Sequence, residues 1–96
     1  MKGNITLNHN NIISRKNGID TTDLDNDKVM MDLNKGKYYV MNEIASDIWE
    51  SISQPKTVQD IIKDLMGIYE VDEEECTRCT IEYLIKLHHE ELICVN

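Results

Sequence analysis

The sequence lacks most of what would mark an enzyme, a membrane protein or a secreted one. No apolar run in its 96 residues approaches the length of about 20 needed to cross a bilayer. The N-terminal MKGNITLNHNN has no apolar segment of the kind a secretory signal requires, so the expected compartment is the cytoplasm. No Ser-His-Asp arrangement, glycine-rich phosphate loop or H-E-x-x-H occurs. Cysteine is limited to Cys76, Cys79 and Cys94, an odd number that argues for reduced thiols and against a disulfide framework. Cations are scarce: ten Lys and Arg stand against eighteen Asp and Glu, for a net charge of -8. Such a chain repels polyanions, and clustered cations are the main source of nucleic-acid affinity, so DNA is excluded as the default ligand. The length itself allows one domain with one modest core.

What remains is a clear alternation of short elements. Residues 1–17 are rich in Asn, with only ITL and NII able to pair, and read as a loosely ordered arm contributing at most one edge strand. The domain proper runs from Gly18 to Asn96. Within it IDTTDL leans to strand, DND makes a turn, and KVMMDL places Val29, Met31 and Leu33 on one face. Asn34 to Gly36 turns the chain again. KYYVM then sets Tyr39 and Met41 on the core face and Tyr38 and Val40 on an open one. These three segments predict an antiparallel meander.

Three helices follow. Asn42 can cap the first, whose buried stripe is Ile44, Ala45, Ile48, Trp49 and Ile52, with Pro55 ending it. Thr57 with Asp60 starts a second, with Val58, Ile61, Ile62 and Leu65 inward until Gly67. Asp72 with Glu75 starts a third, with inner residues Cys76, Thr80, Tyr83, Leu84 and Leu87, and LICV is long enough for a brief closing strand. The class is α+β: a winged helix-turn-helix-like domain, a three-stranded antiparallel sheet followed by three helices. The layout is usual for DNA binders, but this third helix offers mainly carboxylates, hydroxyls and thiols, where base readout needs Arg, Lys, Asn or Gln.

D-L-N-K-G-K-Y-Y-V-M-N-E-I-A-S-D-I-W, from Asp32 to Trp49, resembles the hallmark of the PqqD-like family, recognition elements that bind the leaders of ribosomally made, post-translationally modified peptides. The family's order continues in T-V-x-x-I-I (Thr57 to Ile62), Y-x-V-D-x-E-x-C (Tyr69 to Cys76) and Y-L-x-x-L (Tyr83 to Leu87), so that the similarity spans Gly18 to Ile93. A free-standing chain of this size is most similar to the small B1 proteins of lasso-peptide clusters. The resemblance implies that a precursor's leader adds as a strand beside the third strand, in the cleft with the third helix. A separate leader peptidase of B2 type, with a transglutaminase-like fold, and a lasso cyclase would then act, while this chain does no chemistry and carries no cofactor. Two positions depart from the family: Cys79-Thr80 stands where many relatives have Asp-Val, which puts the peptide preference in question, and Glu91 stands where they have Gly at the helix exit.

The residues support the same mode without the resemblance. An edge strand leaves backbone donors and acceptors unpaired for a visiting peptide, and Lys37, Tyr38, Tyr39, Val40 and Met41 form a suitable edge, free of Pro and charged only at Lys37. One of the amides at Tyr38 and Val40 is expected to face that edge. Cys79, Glu82, Tyr83 and Lys86 recur at three- and four-residue steps as the far wall of a groove, with Tyr83 as an apolar floor and Lys86 or Glu82 at the rim. The plainer alternatives are an edge covered by the arm or by a second copy, and a Tyr83 that is core beneath a solvated charged face. A metal at Cys76, Cys79, His88 and His89 is disfavoured, because His88 lies about 13 Å along a helix from Cys79 and zinc ligands must converge on one ion. His88 and His89, the only sequence-near bases for a Cys nucleophile on this helix, are displaced by the same length of helix, and His9 lies in the arm. The rival functions are a winged-helix transcription regulator and a structural subunit of a larger modifying enzyme.

Overall fold

The computed structural model describes residues 6–24 and 27–96; the first five residues and, of the turn read at Asp25 to Asp27, Asp25 and Asn26 lie outside that range, while Asp27 already belongs to a strand. Among the described residues, six strands and three helices follow in the order β1 (Ile12–Arg15), β2 (Ile19–Leu24), β3 (Asp27–Asp32), β4 (Lys37–Met41), α1 (Glu43–Ser51), β5 (Lys56–Thr57), α2 (Val58–Met66), α3 (Glu73–His89) and β6 (Ile93–Val95). Strands β2, β3 and β4 are the expected meander, antiparallel throughout. No described helix is long and apolar enough to cross a membrane.

Local chemistry explains the β3–β4 turn. Asp32, buried despite its charge, accepts from the amides of Asn34 and Lys35 through Oδ1 at 3.0 and 3.2 Å, which satisfies the carboxylate where water cannot. Gly36 then adopts φ +68°, a left-handed conformation that a side chain would strain. All three helices start at the residues read from sequence: Asn42, Thr57 and Asp72 accept from the amides of Ala45, Asp60 and Glu75. The first helix ends at Ser51, well ahead of Pro55.

The core joins Met30 and Met41 of the sheet to Ala45, Ile48 and Trp49 of α1, Val58, Ile61, Ile62 and Leu65 of α2, and Cys76, Leu84 and Leu87 of α3. Two expectations need correcting. The helical spacing puts Ile44 in the buried stripe, but it is 47% exposed. It sits on one flank of that stripe, at its border with solvent. Residues 12–15 of the expected loose arm form a central strand instead of an edge: β1 lies between β5 and β6, and Ile13 is fully buried. The segment is held by pairing in a second small sheet, with partners 45 and 82 positions away along the chain, as the pairs Ile12↔Thr57 and Ile13↔Val95 show.

The exit from α3 is a complete Schellman turn. Leu92 donates to the Leu87 carbonyl and Glu91 to that of His88, both at 3.0 Å, and this geometry places Glu91 at φ +60°. Among the described residues it alone has positive φ without being glycine. A left-handed conformation costs an L-residue about 1–2 kcal/mol, which is the physical reason glycine suits that position.

Candidate functional site

The free edge of β4 can be assigned atom by atom. Leu33 donates to the Gly18 carbonyl at 3.0 Å, which makes Gly18 and Leu33 a hydrogen-bonded pair at the end of the β2–β3 ladder. Backbone groups alternate sides along a strand, so Met31 and Val29 also turn to β2, whereas Asp32, Met30 and Lys28 turn to β4. Their partners Lys37, Tyr39 and Met41 are thereby engaged with β3. The Asp32 carbonyl, which accepts from Gly36 N–H at 2.9 Å within the turn, points the same way. Tyr38 and Val40 consequently both aim their N–H and C=O outward, not one of them as expected, because residues two apart share a side. Among the described residues no strand pairs with that edge. The two side chains are 71% and 65% exposed.

Beside this edge runs a groove with two adjoining hollows that share Val40, Tyr83 and Lys86. The larger, about 320 Å³, lies toward α1 and is completed by Asn42, Ile44, Ala45 and Cys79. The smaller, about 150 Å³, lies toward the end of α3, where Met30, Leu87 and Leu92 form its base with Tyr39 and Glu90 at the side. Helix α3 positions its contribution by periodicity: Cys79, Tyr83 and Lys86 occupy one stripe while Cys76, Thr80, Leu84 and Leu87 fix the neighbouring stripe in the core.

The Tyr83, Tyr39 and Cys79 side chains of the groove are all held toward their neutral forms. Burial alone pushes the Tyr83 phenol up to about 12, so it stays un-ionised across the physiological range. Tyr39 is also raised, first by desolvation and then by the bond its hydroxyl donates to Glu90 Oε2 at 3.1 Å. Desolvation likewise raises the Cys79 thiol, against the opposing pull of Arg78; its Sγ donates weakly to Glu75 Oε1 at 3.7 Å.

Of the residues picked out in the sequence, Tyr39, Val40, Cys79, Tyr83 and Lys86 line the groove. Tyr38 lies on its strand edge with the side chain on the outer face. Met41 does not contribute, since its side chain is buried in the core and its backbone is engaged with β3. Glu82 is turned aside and held by Arg78 at 3.3 Å, and Lys37 lines neither hollow. Sequence reading missed Ile44, Asn42 and Glu90. For Ile44 a signal existed, because it occupies one flank of a stripe about 140° wide at 3.6 residues per turn. Among the described residues no three His, Cys, Asp or Glu side chains are grouped so as to hold a metal ion.

A family model for coenzyme PQQ synthesis protein D (PqqD) matches residues 27–93. The chain belongs to this family. The match contains β3, β4 and the whole of α3, hence both groove walls, and leaves β1 and β2 outside. No curated protein matches the chain. Among solved structures it is similar to TbiB1 in complex with the TbiA(beta) leader peptide, at 22% identity and TM-score 0.76, over 83% of this chain and 93% of that one. It is also similar to lasso peptide synthetase B1 complexed with the leader peptide, at 20% identity and TM-score 0.75, over 85% and 96%. At these identities the likeness is one of fold, and it is that of the α+β winged helix.

Proposed function

We propose that this chain is a non-catalytic peptide-binding module that takes up the leader of a ribosomally made precursor, of lasso-peptide type, and presents it to a separate leader peptidase and cyclase. The observation that carries this reading is the outward-facing backbone of Tyr38 and Val40 above an apolar groove floored by Tyr83. Each of the two residues offers one donor and one acceptor, so an extended segment of about five residues can add to β4 as a fourth strand. Its alternate side chains then enter the two hollows, where shape sets the preference. The family and the fold, which this chain shares with two proteins seen with leader peptides, agree with that occupant.

The α3 surface weighs against DNA. Its first turn carries Glu73, Glu74 and Glu75, and Arg78 is already paired with Glu75 at 2.6 Å and Glu82 at 3.3 Å. Fluorescence polarisation with the labelled leader of a cognate precursor peptide tests the proposal. The leader should bind and the core peptide should not, with only a few-fold loss between 50 and 200 mM salt, against roughly a thousandfold for a site built on six or more phosphate contacts. Equal affinity for leader and core, or low-micromolar binding of duplex DNA without leader binding, would reject it.

A further inference from the structure

We infer that Lys35, Glu90 and Glu91 form a clasp between the β3–β4 hairpin and the end of α3 that sets the width of the peptide groove, an inference that rests on the peptide-binding reading above. Three contacts make this joint. Lys35 Nζ donates to the Glu90 carbonyl at 3.2 Å and pairs with Glu91 Oε2 at 3.6 Å. Tyr39 donates its hydroxyl to Glu90 Oε2 within the smaller hollow. Lys35 is itself placed by the hairpin, since its amide is held by Asp32 Oδ1 and the left-handed Gly36 follows it. The contacts link the two groove walls at the end away from α1, so they close the groove there and limit how far β4 and α3 can part.

The backbone at Glu91 is what gives the clasp a role beyond stability. Gly would leave α3 through the same Schellman turn without strain, whereas Glu91 is held at φ +60°. The Lys35–Glu91 pair cannot offset that strain, because its side chains are 35% and 59% exposed and such pairs are weak and screened by salt. A strained residue whose side chain ties the β3–β4 hairpin to the helix exit at the end of a binding groove points to a positioning role. Glu91 and Lys35 act by holding the walls and do not line the groove.

The test pairs thermal unfolding with leader affinity, using the full chain and the same labelled leader at low salt. Glu91→Gly should raise Tm by several degrees, on the scale of about 4–8 °C per kcal/mol for a domain of this size, yet weaken leader binding roughly fivefold, about 1 kcal/mol. Lys35→Met should weaken binding similarly with Tm almost unchanged. In both variants the deficit against the wild type should shrink as salt rises. Opposite signs for stability and binding are what a merely structural contact would not produce. The clasp is overturned if Glu91→Gly lowers Tm, or if either variant binds like the wild type. Should the wild type itself fail to bind the leader, the functional reading falls. The clasp is then decided by the nuclear Overhauser contacts between the Tyr39 ring and α3, which weaken in Lys35→Met if it is real and stay unchanged if it is not.

Discussion

Proline at Tyr38 or at Val40 should each weaken leader binding at least tenfold, about 1.4 kcal/mol, with the circular dichroism spectrum and Tm close to those of the wild type. Both amides face the open edge, so neither substitution removes a bond of the native ladder. Each does remove a donor that a docked strand needs, and one hydrogen bond contributes about 0.5–1.5 kcal/mol net. The proline ring adds a steric penalty on the side where the peptide would lie. Tyr39→Pro provides the contrast, because its amide is engaged with Met30 across β3–β4 and its loss should lower Tm markedly. If Tyr38→Pro and Val40→Pro both fold and both bind normally, no strand adds at this edge.

The second large effect is expected at Tyr83. Its ring lines both hollows and burial dominates the state of its hydroxyl, so it behaves as a desolvated aromatic anchor. Anchors of this kind cost about 2 kcal/mol or more when truncated, and Tyr83→Ala should therefore reduce leader affinity roughly 30-fold. Among the described residues nothing hydrogen-bonds the Tyr83 hydroxyl, and Tyr83→Phe should bind within about twofold of the wild type on the general weakness of an unpaired polar handle. Lys86→Ala, at the exposed rim, should lose only about two- to threefold, as rim charges do. Titrations in one buffer would rank the three variants. A Lys86 deficit larger than that of Tyr83 would mean that charge, not apolar packing, holds the peptide.

The legible parts of the fold are those decided within a few residues. Each helix start was marked by a capping side chain three residues ahead of the amide it binds, and Asn42, Thr57 and Asp72 all serve in that way. Alternation separated Tyr39 and Met41 from Tyr38 and Val40, because side chains change face at every step along a strand. What depends on distant partners was not legible. The second sheet brings Ile13 against Lys56 and Val95, and no local pattern in an Asn-rich segment announces such partners. The outward sense of the Tyr38 and Val40 amides follows from the Gly18–Leu33 pair at the far side of β3, although their shared parity was readable from the sequence alone. For the groove, spacing along α3 found Cys79, Tyr83 and Lys86 but took in Glu82, since a helical stripe does not show which of its flanks a neighbouring ion pair will claim. Glu91 is the instructive departure. Its effect extends from the helix exit to the hairpin opposite, through Lys35.

The most direct measurement of strand addition is residue-resolved amide hydrogen exchange on β4, with and without saturating leader. In the free protein the amides of Lys37, Tyr39 and Met41 should exchange slowly because they bond to β3, while those of Tyr38 and Val40 exchange quickly. Leader binding should slow Tyr38 and Val40 by at least tenfold and leave the other three almost as they were. A leader that binds tightly while Tyr38 and Val40 continue to exchange at their free rates would contradict the proposed site.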